Sequence, residues 1–181
     1  DIFMSADMNF PETLYAEKWA VTKPVVYASG ALAMVSTRGV DLSKGMALLE
    51  SASIEKIALA NPKTAPYGTA SIEAFKNVKV YEKIESKLVY GESISQALQF
   101  ATTAADVGFV NSSAFYGEKM KRYVEGVHWV NVDAKLYTPI AQGIVMLKQA
   151  ENNADAKAFY TFILSAQAKA IFKSYGYLVN E

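Results

Sequence analysis

Short apolar runs alternate with helical segments along this 181-residue chain, and few folds accept such a pattern. The runs include residues 57–60, 106–110 and 141–147, and each is followed by residues that favour turns or caps. Apolar runs of this length, bounded in this way, are typical of buried strands. Because the strands alternate with helices across short loops, the pattern predicts an α/β fold with a mostly parallel sheet.

The composition excludes several classes of protein. Hydrophobic residues make up 51% of the chain, which is enough for a core and argues against a disordered chain. The 18 basic and 18 acidic residues leave no net charge, so we do not expect binding to nucleic acid or to an anionic lipid surface. Such a balance still allows a small anion to be held by local dipoles. The absence of cysteine excludes disulfide scaffolds, thiolate zinc sites and cysteine nucleophiles.

Three predicted strand ends carry loops that suit a ligand, at residues 61–68, 91–93 and 111–113. Parallel α/β sheets bind ligands at the carboxyl ends of their strands, where helices begin. In the first loop, Gly68 stands just ahead of a helix predicted for residues 69–76. The unpaired N–H groups and the dipole of a helix N-terminus attract an anion without Lys or Arg, and a glycine allows close approach. The alternative is a plain connection between strand and helix.

The other two loops repeat this logic. Ser93 is expected to cap a helix over residues 94–104, which leaves the N–H groups at its start available; the alternative is an ordinary helix cap. Residues 111–113 place an amide and two hydroxyls after a buried strand, and these groups can donate hydrogen bonds to an oxyanion. The alternative there is a capped helix start.

Enzymatic candidates are weak. His128 is the only histidine and has no cysteine partner, so a structural role is expected. Asp106 and Asp7 could form an acid pair only if the fold joins them, and Asp106 is expected to cap the helix before it. Phosphate-loop, nucleophile-elbow and zinc-protease motifs are absent from the sequence. We therefore do not expect an enzyme, and we expect no cofactor and no directly bound metal.

Six segments, in order along essentially the whole chain, carry a family resemblance. They are DIFMSAD at 1–7, NPKTAPYGTA at 61–70, GESISQAL at 91–98, ADVGFV at 105–110, YTPIA at 137–141, and AFY together with QAKAIFKSYGY between 158 and 177. Each is loose by itself, but the ordered set is specific. The chain resembles the periplasmic molybdate-binding proteins of ABC importers.

The resemblance implies a two-lobed periplasmic binding protein of the second type, with mixed, mostly parallel sheets flanked by helices. Lobe I would comprise residues 1–32 and 140–181, and lobe II residues 33–139, joined by crossover strands near 31–36 and 139–146. Molybdate or tungstate would lie in the cleft between the lobes, held by backbone N–H groups and neutral side chains. The partner would be an ABC transporter permease. The protein would be located in the periplasm, or it would be extracytoplasmic and held to the membrane by a lipid anchor.

Residue by residue, the resemblance assigns three ligand contacts. The family's backbone donor in its Pro-Ala-Gly loop falls on Tyr67, its donor at the second helix start falls on Ile94, and its tyrosine hydroxyl falls on Asn111. An amide reaches less far than a phenol, so we hypothesise that the Tyr67 phenol compensates for Asn111. Further contacts are expected from neighbouring residues, namely Pro66, Gly68, Ser93 and Ser112.

Two features keep alternatives open. The family places two serine-bearing loops before the Ser-Ala-Asp stretch, so the first lobe is expected to lack its N-terminal part in this chain, and a fragment of this kind could fail to bind. The change at Asn111 leaves room for another oxyanion, such as sulfate or phosphate. Catalytic proteins and ligand-sensing regulators with a related two-lobed fold remain further alternatives.

Overall fold

A computed structural model describes residues 1–179 of the chain, which divides into two compact units. Unit 1 contains residues 1–30 and the residues from Ile140 onward, and unit 2 is the continuous stretch Ala31–Pro139. The chain therefore passes between the units twice, at Gly30–Ala31 and at Pro139–Ile140. Within residues 1–179, none of the helices combines the length and the apolar character needed to cross a membrane.

Eight strands and six α-helices form the regular structure of the described residues, supplemented by short 3-10 helices. The strands are β1 (Ile2–Met4), β2 (Val25–Gly30), β3 (Leu32–Val35), β4 (Ile57–Ala60), β5 (Leu88–Gly91), β6 (Val107–Asn111), β7 (Trp129–Asn131) and β8 (Ile140–Met146). The helices are α1 (Asn9–Ala16), α2 (Pro66–Asn77), α3 (Tyr81–Ile84), α4 (Ile94–Thr103), α5 (Ala154–Ile163) and α6 (Ala166–Ser174).

Unit 1 is built around β8. This strand lies between β1 and β2 and runs antiparallel to both. Its residues are almost all buried, because α1 and α5 pack against it and shield it from water. A side-chain hydrogen bond also joins β2 to β8, since the Tyr27 hydroxyl donates to Gln142 Oε1 at 2.8 Å. Burial raises the pKa of Tyr27 to about 12, so the phenol remains a neutral donor at physiological pH.

Unit 2 contains a five-stranded sheet in the order β5-β4-β6-β3-β7. The strands β5, β4 and β6 are parallel, whereas β3 runs antiparallel to β6 and β7. Helix α2 covers one face, where Phe75 packs edge-on against Phe109 with 4.6 Å between the ring centroids. Helix α4 covers the other face, where Ala97 and Ala101 join a buried cluster with Ala60.

The α/β class with mixed sheets is confirmed, but the prediction that the sheets are mostly parallel is wrong. In the part of the chain that the structure describes, β8 and β3 have only antiparallel neighbours, and β4 alone has parallel neighbours on both sides. The reason is topological. β3 and β8 begin where the chain crosses between units, and each runs against the strands beside it.

Asp106 does not cap the helix that precedes it, contrary to expectation. Its Oδ2 atom accepts the backbone N–H groups of Glu55 and Lys56, both at 2.9 Å, and thereby fixes the residues that lead into β4. Burial raises the pKa of Asp106, but these two N–H groups, together with the charges of Arg38 and Lys56, outweigh it and leave the pKa below its usual value.

The stability that Asp106 contributes should disappear in acid. Because its pKa is lower in the folded chain than in the unfolded one, the contribution is present above about pH 4 and is lost as the pH falls through the folded value. We expect Asp106→Asn to melt about 2 to 4 °C lower than the unaltered protein at pH 7. Thermal unfolding followed by circular dichroism at pH 7 and at about pH 3 should show a smaller difference in acid. A difference of the same size at both pH values would contradict the charge-based account.

Candidate functional site

The three loops singled out in the sequence meet at one edge of the sheet in unit 2. Ala60 at the end of β4 pairs with Gly91 at the end of β5, and Leu59 pairs with Phe109 of β6. Because all three strands are parallel and in register, the loops at 61–68, 91–93 and 111–113 emerge side by side. The Asn61 N–H continues the ladder by donating to the Gly91 carbonyl at 2.8 Å.

Two helices begin at this edge from opposite faces of the sheet. Helix α2 follows β4 on the face of Phe109, and helix α4 follows β5 on the face of Ala60, since successive side chains of a strand point to opposite sides. Each first turn carries N–H groups without intrahelical acceptors and about half a unit of positive charge. The edge therefore offers two partial positive poles, one from each side of the sheet.

The first turn of α2 lies closer to the sheet than the sequence suggested. The helix begins at Pro66 rather than at residue 69, so Gly68 lies inside the first turn. A Cβ atom on Gly68 would come within 2.2 Å of the Ala60 carbonyl oxygen. The Gly68 N–H already donates to the Ala65 carbonyl at 2.9 Å. This glycine thus allows α2 to pack against the end of β4, and its contact with a ligand stays a prediction.

The other two candidates of this turn differ in what they can offer. Pro66 is the first helical residue and has no N–H, so it can line a site but cannot donate to a ligand. Tyr67 follows it and is only 5% exposed. Its carbonyl accepts the Ser71 hydroxyl at 2.7 Å, as the helix continues. The hypothesis that the Tyr67 phenol replaces the family's tyrosine thus concerns a side chain that is largely buried, and it stays a prediction.

The start of α4 is capped as predicted. The Ser93 Oγ accepts the Gln96 N–H at 3.2 Å, and the Gln96 side chain accepts the Glu92 N–H at 2.6 Å. Within residues 1–179, no acceptor takes the N–H groups of Ile94 and Ser95. The Ser93 hydroxyl is exposed and keeps its own proton to donate. This turn therefore presents two backbone donors and one hydroxyl.

The third loop, after β6, carries three polar side chains. The Asn111 Nδ2 donates to Ser113 Oγ at 2.8 Å, which holds the two side chains together. Ser112 is 1% exposed, and its N–H donates to the Ala31 carbonyl at 2.9 Å. The second N–H of the Asn111 amide and the Ser113 hydroxyl can still donate to a ligand, whereas a ligand contact of the almost fully buried Ser112 stays a prediction.

Charge at this edge is balanced. Lys63 and Glu92 are the charged residues of the three loops, they have opposite signs, and both are exposed. Backbone and neutral side-chain donors therefore dominate the site, which suits an anion that carries no proton. No group of three or more histidine, cysteine or acidic side chains comes together within residues 1–179 to form a metal centre.

The candidate with a conventional catalytic side chain has a structural role. The Nδ1 atom of His128 accepts the Val124 N–H at 3.0 Å, and its ring lies edge-on to Tyr123. His128 thus holds the turn before β7, away from the three loops in sequence.

Comparison with known proteins identifies the family. The model of a family described as bacterial extracellular solute-binding protein matches residues 1–178. The molybdate-binding protein ModA of Rhodobacter capsulatus is 39% identical over 182 residues, which cover 99% of this chain and 69% of that protein. ModA of Azotobacter vinelandii is 36% identical over 179 residues, covering 98% of this chain and 70% of that protein.

A solved structure agrees with the sequence comparisons. The periplasmic molybdate-binding protein of Azotobacter vinelandii matches with a TM-score of 0.87 and 28% identity, covering 100% of this chain and 79% of that chain. The resemblance drawn from the six ordered segments is confirmed. The chain therefore belongs to the bacterial extracellular solute-binding proteins and, among them, to the family of the ModA molybdate-binding proteins.

Proposed function

We propose that this protein captures molybdate or tungstate outside the cytoplasm and delivers it to the membrane permease of an ABC transporter. The observation that carries the proposal is the meeting of two helix N-termini and one polar loop at a single sheet edge. In a chain related to molybdate-binding proteins, this arrangement supplies what a doubly charged oxyanion needs.

The ligand would be held by hydrogen bonds from Ile94, from Tyr67 and from the Asn111 amide. Ser93 and Ser112 would add hydroxyl donors. Fixed dipoles of this kind stabilise a desolvated anion without requiring a buried cation, and they need no reorganisation when the anion arrives. The role of each of these residues belongs to the proposal.

Selectivity would follow from the same donors. Phosphate carries at least one proton throughout the neutral range and needs an acceptor for it, which a site made of donors lacks. Sulfate has no proton but is smaller than molybdate, so the spacing of the donors would decide against it. Capture and delivery of the anion make and break no covalent bond. We therefore propose a binding protein rather than an enzyme.

Isothermal titration of the protein as its gene encodes it tests this function. We expect molybdate and tungstate to bind about 100-fold more tightly than sulfate, and phosphate to bind more weakly still. Tighter binding of sulfate or phosphate would contradict the proposed ligand while leaving an oxyanion-binding role intact. No heat with any of the four anions would contradict the proposed function itself.

A further inference from the structure

The last residues before the chain leaves unit 2 are fastened to helix α2. The Thr138 N–H and hydroxyl donate to the two carboxylate oxygens of Glu73 at 2.8 and 2.9 Å. One turn further along α2, the Asn77 side chain donates to the Leu136 carbonyl at 2.9 Å. We call residues 136–138 the exit segment. Helix α2, whose first turn forms part of the candidate site, therefore holds the exit segment through hydrogen bonds that involve two of its residues, Glu73 and Asn77.

Tyr137, in the middle of the exit segment, reaches the other crossing point of the chain. Its hydroxyl oxygen accepts the Leu32 N–H at 3.0 Å, one residue after the Gly30–Ala31 crossing. Tyr137 is 5% exposed and Leu32 is fully buried, so this hydrogen bond is shielded from water. Burial raises the pKa of Tyr137, and the phenol therefore remains neutral at physiological pH.

The strand that starts at Leu32 leads directly to the third loop of the candidate site. Leu32 pairs with Asn111 across β3 and β6, and the neighbouring Ala31 carbonyl accepts the Ser112 N–H at 2.9 Å. A continuous path of hydrogen bonds and strand pairing thus runs from α2 through the exit segment and Leu32 to the Asn111 loop. Every residue on the path belongs to unit 2.

We propose that Glu73 and Tyr137 are positioning residues for the oxyanion, because they set the distance between the first turn of α2 and the Asn111 loop. This inference rests on the proposed function. Donors bind an anion tightly only when their spacing is fixed before the anion arrives, and a looser arrangement must be ordered at the expense of binding energy. Neither residue needs to touch the ligand for this role.

The sharpest test removes single polar atoms from this path. Thr138→Val deletes the hydroxyl that binds Glu73 and keeps the β-branched shape, whereas Thr138→Ser keeps the hydroxyl. Titration with molybdate should show affinity about threefold to tenfold weaker for Thr138→Val and within about twofold of the unaltered protein for Thr138→Ser. Tyr137→Phe should weaken affinity about tenfold, because it leaves the Leu32 N–H buried without an acceptor.

The control is Thr103→Val, which removes another exposed hydroxyl of unit 2, one that donates to the Gln99 carbonyl at 2.7 Å in α4. Melting temperatures without ligand should fall by similar amounts for the two valine variants, while affinity should fall only for Thr138→Val. Glu73→Ala combined with Thr138→Val should weaken binding no more than Glu73→Ala alone, since Glu73→Ala already removes the acceptor of the Thr138 hydroxyl.

Two results would overturn the inference, and they can be told apart. If the unaltered protein binds molybdate and Thr138→Val binds it as tightly as Thr103→Val does, the positioning role is wrong and the proposed function stands. If the unaltered protein binds none of the oxyanions, the proposed function fails and the positioning role fails with it.

Discussion

Replacing Ile94 by proline should abolish most molybdate binding while α4 stays folded. Proline is well tolerated at the first position of a helix, where its missing N–H has no intrahelical acceptor to lose. The preceding residue, Ser93, already has the extended conformation that a following proline demands, with φ −142° and ψ 164°. The change thus removes one donor from the candidate site and leaves the helix cap in place.

The expected loss follows from the strength of a hydrogen bond to a charged partner. Such a bond contributes about 1.5 to 3 kcal/mol, which corresponds to affinity about 10- to 100-fold weaker. Ile94→Ala is the matched control, because it shortens the same side chain, which packs against the α4 core cluster, and keeps the N–H. Titration of both variants with molybdate measures the difference. Equal affinities of the two variants for molybdate would show that the Ile94 N–H does not donate to the ligand.

Gly68→Ala should destabilise unit 2 and weaken ligand binding together. The added Cβ would lie 2.2 Å from the Ala60 carbonyl oxygen and 2.9 Å from the carbonyl carbons of Ala60 and Asn61. These are backbone atoms, which cannot turn aside as a flexible side chain would, so the first turn of α2 has to move away from β4. We expect a cost of about 3 kcal/mol or more and a melting temperature about 6 to 12 °C lower.

Gly117→Ala serves as the control for this change. Gly117 has φ −74° and ψ 149°, which any residue adopts, and the nearest atom to an added Cβ is the Ala114 oxygen at 3.8 Å. Its free energy of unfolding should change by no more than about 0.5 kcal/mol. Thermal unfolding and molybdate titration of both variants check the prediction. A Gly68→Ala protein as stable as Gly117→Ala would mean that α2 does not pack tightly against β4.

Much of the fold could be predicted because its strands are apolar and short. The run at 57–60 coincides with β4, and the run at 106–110 matches β6 to within one residue at each end, since turn residues bound each of them. The start of α2 was predicted three residues late. Ala65, which precedes it, makes no side-chain hydrogen bond to the helix, so the usual polar cap that marks a helix start is absent from the sequence.

Strand direction was the harder part. The apolar pattern of β3 or β8 is the same whichever way the neighbouring strand runs. The local sequence therefore does not reveal that these strands pair antiparallel with their neighbours. Direction is set by where the chain crosses between the two units, and that is a property of the whole topology.

The site could be predicted as three strand ends but not as a set of contacts. The Ser93 cap could be predicted from a local pattern, because its partner, the Gln96 N–H, lies only three residues away. The burial of Tyr67 and the close approach of Gly68 to Ala60 depend on how α2 packs, which no spacing in the sequence reveals. The contact between Tyr137 and Leu32 joins residues 105 positions apart. Such pairs become visible only when the chain is folded.

The placement of β8 between β1 and β2 determines the order in which the two units can fold during synthesis. The strands β1 and β2 leave the ribosome before any residue of unit 2, whereas β8 leaves it only after the last residue of unit 2. Unit 2 is one uninterrupted stretch and can fold as soon as it has emerged. The sheet of unit 1 cannot form until its central strand β8 has been synthesised. The nascent protein therefore passes through a stage in which unit 2 is folded while residues 1–30 are not.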